Sequence, residues 1–216
     1  MAHIHLEDGS FTLTWVLVWW LLALIVLAIA IWLVRSKEKT DSRTIALAAF
    51  LTAASFAVFQ ISIPVFGGVH LNLTPLIGIL AGPMLGTIVV LITNLLSAAI
   101  GHGGWGLVGA NVLINVTEVF VAYLVWKGLA RLTGSLFARA GLATFTGLFA
   151  GNLVMMGIIL LSGVQGTTLS IYQTFAGLSL IVAVNMGVAV IEALITGLVA
   201  RYLGKTRPDL LGLKRQ

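Results

Sequence analysis

Four histidines and a chelating N-terminus hold most of the chemistry that this 216-residue sequence offers. The chain begins Met-Ala-His-Ile-His-Leu-Glu-Asp-Gly. Alanine at position 2 is small, so loss of Met1 is expected, which leaves the Ala2 amine directly before His3. The amine, the deprotonated His3 amide and the His3 imidazole close a five- and a six-membered ring around one ion and put three nitrogens in a plane. If Met1 is kept, its amine, two amides and the His3 imidazole supply the whole planar set. Such nitrogen-rich, tetragonal fields suit Ni(II), Cu(II) and, less strongly, Co(II), whereas oxygen-seeking Mg(II) would not choose them. The plainer alternative is that His3 and His5 are interfacial histidines with no metal.

Further along, His70 closes a Gly-Gly-Val-His stretch and is a candidate for one more nitrogen donor. Its alternative role is that of an interfacial histidine bonded to a loop carbonyl. His102, within the glycine-rich GHGGWG stretch at 101–106, either lies on the ion's path inward or is structural. Glu7 and Asp8 either attract a cation or cap the first helix, since carboxylates favour a helix N-terminus. The absence of cysteine excludes disulfides and thiolate ligands and pushes any metal site towards nitrogen. No GxxxxGK[ST], HExxH or GxSxG is present, so nucleotide hydrolysis, zincin chemistry and elbow-serine hydrolysis have no signature.

The elements that must position these residues follow from composition. Hydrophobic residues make up 59% of the chain and charged residues 9%. Soluble domains carry roughly 25% charged residues, so most of this chain has lipid for a solvent. Apolar runs predict seven spans, at about 11–34, 44–65, 73–81, 83–100, 107–126, 141–161 and 172–202. The third is separated from the fourth only by Gly82-Pro83, a turn signal. The net charge of +5 would point to nucleic acid in a soluble protein, but here its placement reads as topology. Arg35, Lys37, Lys39 and Arg43 follow the first span; Lys127, Arg131 and Arg139 lie between the fifth and sixth; Arg201, Lys205, Arg207, Lys214 and Arg215 follow the last. A seven-span chain with its N-terminus outside assigns all of them to the cytoplasm and all four histidines to the exterior.

The expected architecture is therefore an all-α membrane protein, a bundle of seven transmembrane helices with an external N-terminus and a cytoplasmic C-terminus. It forms one integral-membrane domain over 1–216 in the cell membrane, with residues 1–10 as an external metal-binding segment and no role for nucleic acid. Glu118 and Glu192 fall inside spans, where an ionised carboxylate requires a partner or a proton. Pairing with Asn111, Asn115, Asn152, Asn185 or a partner protein is preferred to metal ligation. Ala49, Ala53 and Ala57 recur at four-residue spacing, a small-residue stripe suited to close helix approach, either within the bundle or against another membrane subunit.

Together these pieces resemble a known family. The His-Ile-His-Leu…Asp-Gly start, the Gly-Gly-x-His70 loop leading into LTPLIGILAGP, the glycine loop followed by Gly109-Ala110-Asn111-Val112, and Glu192 followed by Ala-Leu-Ile-Thr are similar to the CbiM/NikM family. Those proteins are substrate-capture components of energy-coupling factor transporters for cobalt and nickel. The resemblance covers nearly the whole chain. It implies an N-terminal segment inserted into the bundle, with Ala2 (or Met1), His3 and His70 binding a transported Co(II) or Ni(II) ion. It also implies a transmembrane partner subunit, ATP-binding subunits that supply the energy, a small accessory membrane subunit in some complexes, and a supply role in cobalamin or nickel-enzyme biosynthesis. No catalysis and no resident cofactor are implied for this chain.

Two departures stand out. Family members commonly begin Met-His-Ile-x-Asp/Glu-Gly, so counting back from Gly9 selects His5, whereas the chelate chemistry selects His3; His5 stays as an alternative or added ligand. His102 also stands where an acidic residue is expected, and there it either adds a metal ligand or alters the metal preference. Two other functions remain open on the sequence: a capture component for an organic vitamin, with GHGGW and the asparagine-bearing spans lining its pocket, and an intramembrane enzyme using Glu118 and Glu192 as acid and base.

Overall fold

The computed structural model describes residues 8–36, 41–60, 62–63, 69–71 and 73–213. Among the described residues, six α-helices carry the fold: α1 (Leu13–Ser36), α2 (Ser42–Phe59), α3 (Thr74–Ala99), α4 (Val108–Gly128), α5 (Leu136–Ser162) and α6 (Ile171–Thr206). All six are long and apolar enough to cross a membrane. A two-residue antiparallel pair, β1 (Ser62–Ile63) with β2 (Val69–His70), joins α2 to α3 and sets Ser62 opposite His70. Large apolar side chains such as Leu17, Leu21, Phe50, Leu180 and Leu198 are exposed on the helices' outer faces, as a lipid solvent requires.

The count of six differs from the seven spans expected, and the difference lies in α3. Its first limb, Thr74 to Ala81, is about 12 Å long at 1.5 Å per residue and too short to cross alone. Gly82 then leaves the helical conformation (φ 74, ψ 176), ahead of Pro83. The second limb folds back rather than running on. A Cβ on Gly86 would lie 3.3 Å from the Cγ2 methyl of Ile77, whereas nine residues of straight helix would separate them by about 13 Å. Gly78 on one limb and Gly86 on the other both abut Val119 of α4. The tip of this hairpin packs through Ile79 against Trp126 and Leu211.

Other expected boundaries move as well. The second span ends at Phe59 rather than 65, because the chain turns into the strand pair. The expected loop residue Arg139 is helical and buried: Ser135 caps α5 by accepting from the Ala138 amide at 3.3 Å, which starts that helix five residues early. Arg139 Nε donates to the Trp126 carbonyl, and its guanidinium lies 3.6 Å from the Trp126 ring centroid, an arrangement that shields the charge with a π face.

Contacts define two ends of the bundle. At one end, Arg43 at the start of α2 pairs with Asp209 beyond α6, and Arg207 pairs with the same carboxylate at 3.1 Å. Asp41 caps α2 there, and hydrogen bonds from the Thr44 hydroxyl and amide hold its carboxyl below the usual range. At the other end lie Asp8, the end of α2, His70, His102 and the α5–α6 connection, where Gln165 N donates to Ser10 O at 2.8 Å.

Glycine governs how closely the helices meet. A Cβ on Gly109 would stand 2.6 Å from Trp20 N, and one on Gly147 would stand 2.9 Å from Glu118 O, both against backbone. Gly109→Ala and Gly147→Ala should each lower thermal stability in detergent by about 1–3 kcal/mol through overpacking. Gly128→Ala, where a Cβ meets nothing within 4 Å, should leave the melting temperature unchanged or raised.

Candidate metal centre

Two imidazoles meet at the Asp8 end. The His70 and His102 ring centroids are 4.4 Å apart at an interplanar angle of 86°. Phe59, the last residue of α2, contacts both, at 5.8 Å from His70 and 4.9 Å from His102. The nitrogens His70 Nδ1 and His102 Nε2 are withdrawn from solvent.

Local structure explains each position. His70 ends β2, and the chain then reaches α3 through Leu73, a non-glycine residue in the left-handed region (φ 56). That conformation costs roughly 1–2 kcal/mol and needs holding in place. Glu192 Oε1 of α6 accepts from the Leu73 amide at 3.2 Å, and Glu118 of α4 accepts from the Thr74 hydroxyl. Both carboxylates are fully buried. Each carboxylate thus holds one of the residues that open α3. Asn152 accepts from Asn185 Nδ2 at 2.9 Å, and Asn111 and Asn115 are buried on α4.

His102 is set by the way α3 ends. Gly101 turns left-handed (φ 80), its amide donates to Ala98 O, and the His102 amide donates to Ser97 O at 2.9 Å. Together they form a Schellman-type stop. Desolvation lowers the pKa of the His102 imidazole, which keeps it neutral and able to donate a nitrogen lone pair at neutral pH.

Asp8 ties the N-terminal segment to the same loop. Its Oδ1 accepts from Gly106 N at 2.8 Å and its Oδ2 from Trp105 N at 3.1 Å, and a Cβ on Gly104 would collide with the carboxylate. The expected cap of α1 is in fact an anchor on the loop that precedes α4. On the opposite flank, the Gln165 backbone amide, donating to Ser10 O, holds the same turn. The expected donors Met1, Ala2, His3 and His5, together with Glu7, lie outside the described residues, as do Gly67 and Gly68. Among the described residues, no three His, Asp or Glu side chains converge on one point.

Beside Phe59 lies a cavity of about 10 Å³, room for roughly one water centre, lined also by Val90 and by the polar residues Ser55, Thr74, Thr93, Asn94, Ser97 and Asn115. Ser97 Oγ and Asn115 Oδ1 are buried without a hydrogen-bond partner among the described residues. This cavity was not foreseen, because its polar residues are spread over three helices with no common spacing. The stripe Ala49, Ala53 and Ala57 is exposed on the outer face of α2, so it does not pack inside this bundle.

The sequence matches, over residues 5–210, the family described as the cobalt uptake substrate-specific transmembrane region, CbiM. The chain belongs to the CbiM family. It is 31% identical over 220 residues to the protein named CbiM 2 in Methanocorpusculum labreanum, covering 96% of this chain and 92% of that one. It is 28% identical over 221 residues to a fused protein of Archaeoglobus fulgidus whose name, NikMN, assigns it to nickel transport, covering 98% and 69%. In fold it is similar to a crystallised transition metal transporter, with a TM-score of 0.80 at 20% identity over 94% of this chain and 93% of that one. As a CbiM member it is a multi-pass membrane transport component and not an enzyme, so Glu118 and Glu192 are read as structural carboxylates.

The left-handed Leu73 gives the Glu192 contact a measurable weight. Glu192→Leu should leave the Leu73 amide without this acceptor and lower unfolding stability in detergent by about 1–3 kcal/mol. Leu73→Gly in that background should recover part of the loss, read as melting temperature, because glycine adopts φ 56 without strain.

Proposed function

We propose that this CbiM protein captures Co(II) or Ni(II) from outside the cell, using the Ala2 amine, the His3 amide and imidazole, and His70 as a nitrogen set. The observation that carries this reading is the Asp8 anchor. It fixes the end of the N-terminal segment on Trp105 and Gly106, within a few residues of His102, whose ring touches that of His70. From Asp8 back to His3 is five residues, a reach of up to about 17 Å. Among the described residues no three His, Asp or Glu side chains converge on one point, and the sequence upstream of Asp8 carries the further nitrogen donors His3 and His5. The family match begins at His5, which favours a second reading in which His5 contributes the imidazole.

In this proposal the chain passes between the two faces seven times, the short first limb of α3 making one passage only together with the chain that leads into it from His70, and the histidines lie outside. Support comes from the charge distribution: Arg43, Arg207 and buried Arg139 gather at the end opposite His70 and His102. Release to the cytoplasm would be driven by separate ATP-binding subunits through a transmembrane partner, with a small accessory membrane subunit in some complexes. The exposed face of α2 bearing Ala49, Ala53 and Ala57 is offered as the partner's docking surface, since small residues allow helices to approach closely in lipid. The imported ion would feed cobalamin or nickel-enzyme biosynthesis.

Metal quantification on untagged protein, with mass spectrometry of its N-terminus, tests the site. One Co(II) or Ni(II) per chain is expected, together with an unblocked terminal amine. His70→Ala and an acetylated N-terminus should each abolish stoichiometric loading; full loading of a verified blocked protein would sink the amine ligand. Loss of binding in His5→Ala but not in His3→Ala would transfer the imidazole role to His5. Because the amide and imidazoles must give up protons to bind, affinity should fall as pH is lowered.

A further inference from the structure

We propose that the small cavity beside Phe59 binds one ordered water, which joins Ser97 of α3 to Asn115 of α4 and so braces the helix end from which His102 hangs.

Two side chains that leave their usual local partners carry this. A hydroxyl inside a helix has an acceptor at hand in the carbonyl four residues back, and Thr87, Thr93, Thr117, Thr146 and Ser179 all donate to theirs. Ser97 does not. Its hydroxyl is buried without a hydrogen-bond partner among the described residues, and the residue lines the cavity. Asn94 and Asn152 likewise donate a side-chain amide to the carbonyl four residues back. Asn115 makes no such bond, and its Oδ1 is also buried and unmet beside the same cavity. Buried polar atoms are rarely left unpaired, so two of them on different helices around one space point to a shared partner. Thr144 and Thr196 hydroxyls are unmet as well, but neither residue lines this cavity.

Size and chemistry fit water. The volume of about 10 Å³ takes one water centre. Water accepts and donates, so it can accept from the Ser97 hydroxyl while donating to Asn115 Oδ1. Its second hydrogen has acceptors in Thr93 Oγ1 and Asn94 Oδ1. Both are available because the Thr93 hydroxyl hydrogen is spent on Val89 O and Asn94 Nδ2 is turned to Val90 O. About three such partners are usual for a buried water. A nitrogen-seeking transition metal ion finds only neutral oxygens and amides here, which is a poor set for it.

The consequence lies in what else Ser97 holds. Its carbonyl accepts from the Ile100 amide at 3.2 Å and from the His102 amide at 2.9 Å, so the end of α3 is gathered on this one residue. A water between Ser97 and Asn115 ties that residue sideways to α4. Phe59 lines the cavity and contacts both imidazoles, which puts the water one side chain away from the histidine pair.

The test compares the full-length protein in detergent with Ser97→Ala, Asn115→Leu and the double variant. With the water present, each single change breaks a satisfied hydrogen bond and should lower the melting temperature by about 2–4 °C. The double variant should lose less than the sum, because both residues hold the same water. Without a water, each change removes an unmet polar atom and raises the melting temperature, which would overturn the proposal. Ser97→Ala deletes a single atom and keeps the test valid if Asn115→Leu fails to fold. In X-ray hydroxyl-radical footprinting, a bound water should label Phe59 despite its burial, and the labelling should drop several-fold in both single variants. An unlabelled Phe59 in the native protein, or a thallium signal in the cavity of crystals grown with Tl(I), also overturns the water. Backbone amide exchange over residues 98–106 should quicken several-fold in Ser97→Ala; unchanged exchange there would overturn the brace.

Discussion

Two carboxylates buried between helices, Glu118 on α4 and Glu192 on α6, hold the opening of α3 and, with it, the chain that leads from His70. A polar, partly irregular segment at depth in a membrane protein must have its amides and hydroxyls met from within, because lipid offers no substitute. Here that duty falls on side chains whose own burial would be costly without donors. Each requirement meets the other: the carboxylates need hydrogen-bond donors, and the strained entry into α3 needs acceptors. Thr74, one of the two residues so held, also lines the small cavity beside Phe59.

The membrane class, the helical runs and the break at Gly82 were legible because hydrophobic length and a Gly-Pro pair are local signals. That the break reverses the chain was not, since the reversal depends on Ile77 reaching Gly86 and on both limbs packing against Val119. Helix ends differ from the expected ones where hydrophobicity outlasts helicity, as after Phe59, or where a polar residue joins a helix, as with Arg139. The sequence pattern treats an arginine as a loop residue; Trp126 supplies the ring and carbonyl that let it enter α5.

Within the candidate site, residue types pointed to His70 and His102 separately, yet nothing in their spacing of thirty-two positions indicates that the rings touch. Asp8 was read as a helix cap or a cation lure, and it serves as an anchor on the Trp105 and Gly106 amides. Both outcomes reflect the same limit: a side chain's partner is chosen by tertiary packing, and a single sequence encodes only the range of partners it accepts. Glu118 and Glu192 illustrate this, because residue type alone does not single out the Thr74 hydroxyl and the Leu73 amide from which they accept.

The first limb of α3 spans eight residues and about 12 Å, barely more than two turns. At its head is the segment gripped by the two glutamates, four residues from His70; at its tip, Ile79 wedges against Trp126 and Leu211. A limb this short cannot bridge the bilayer, so its polar opening lies below the level of the surrounding helix ends and its hydrogen-bond donors have to be met by the buried glutamates rather than by water.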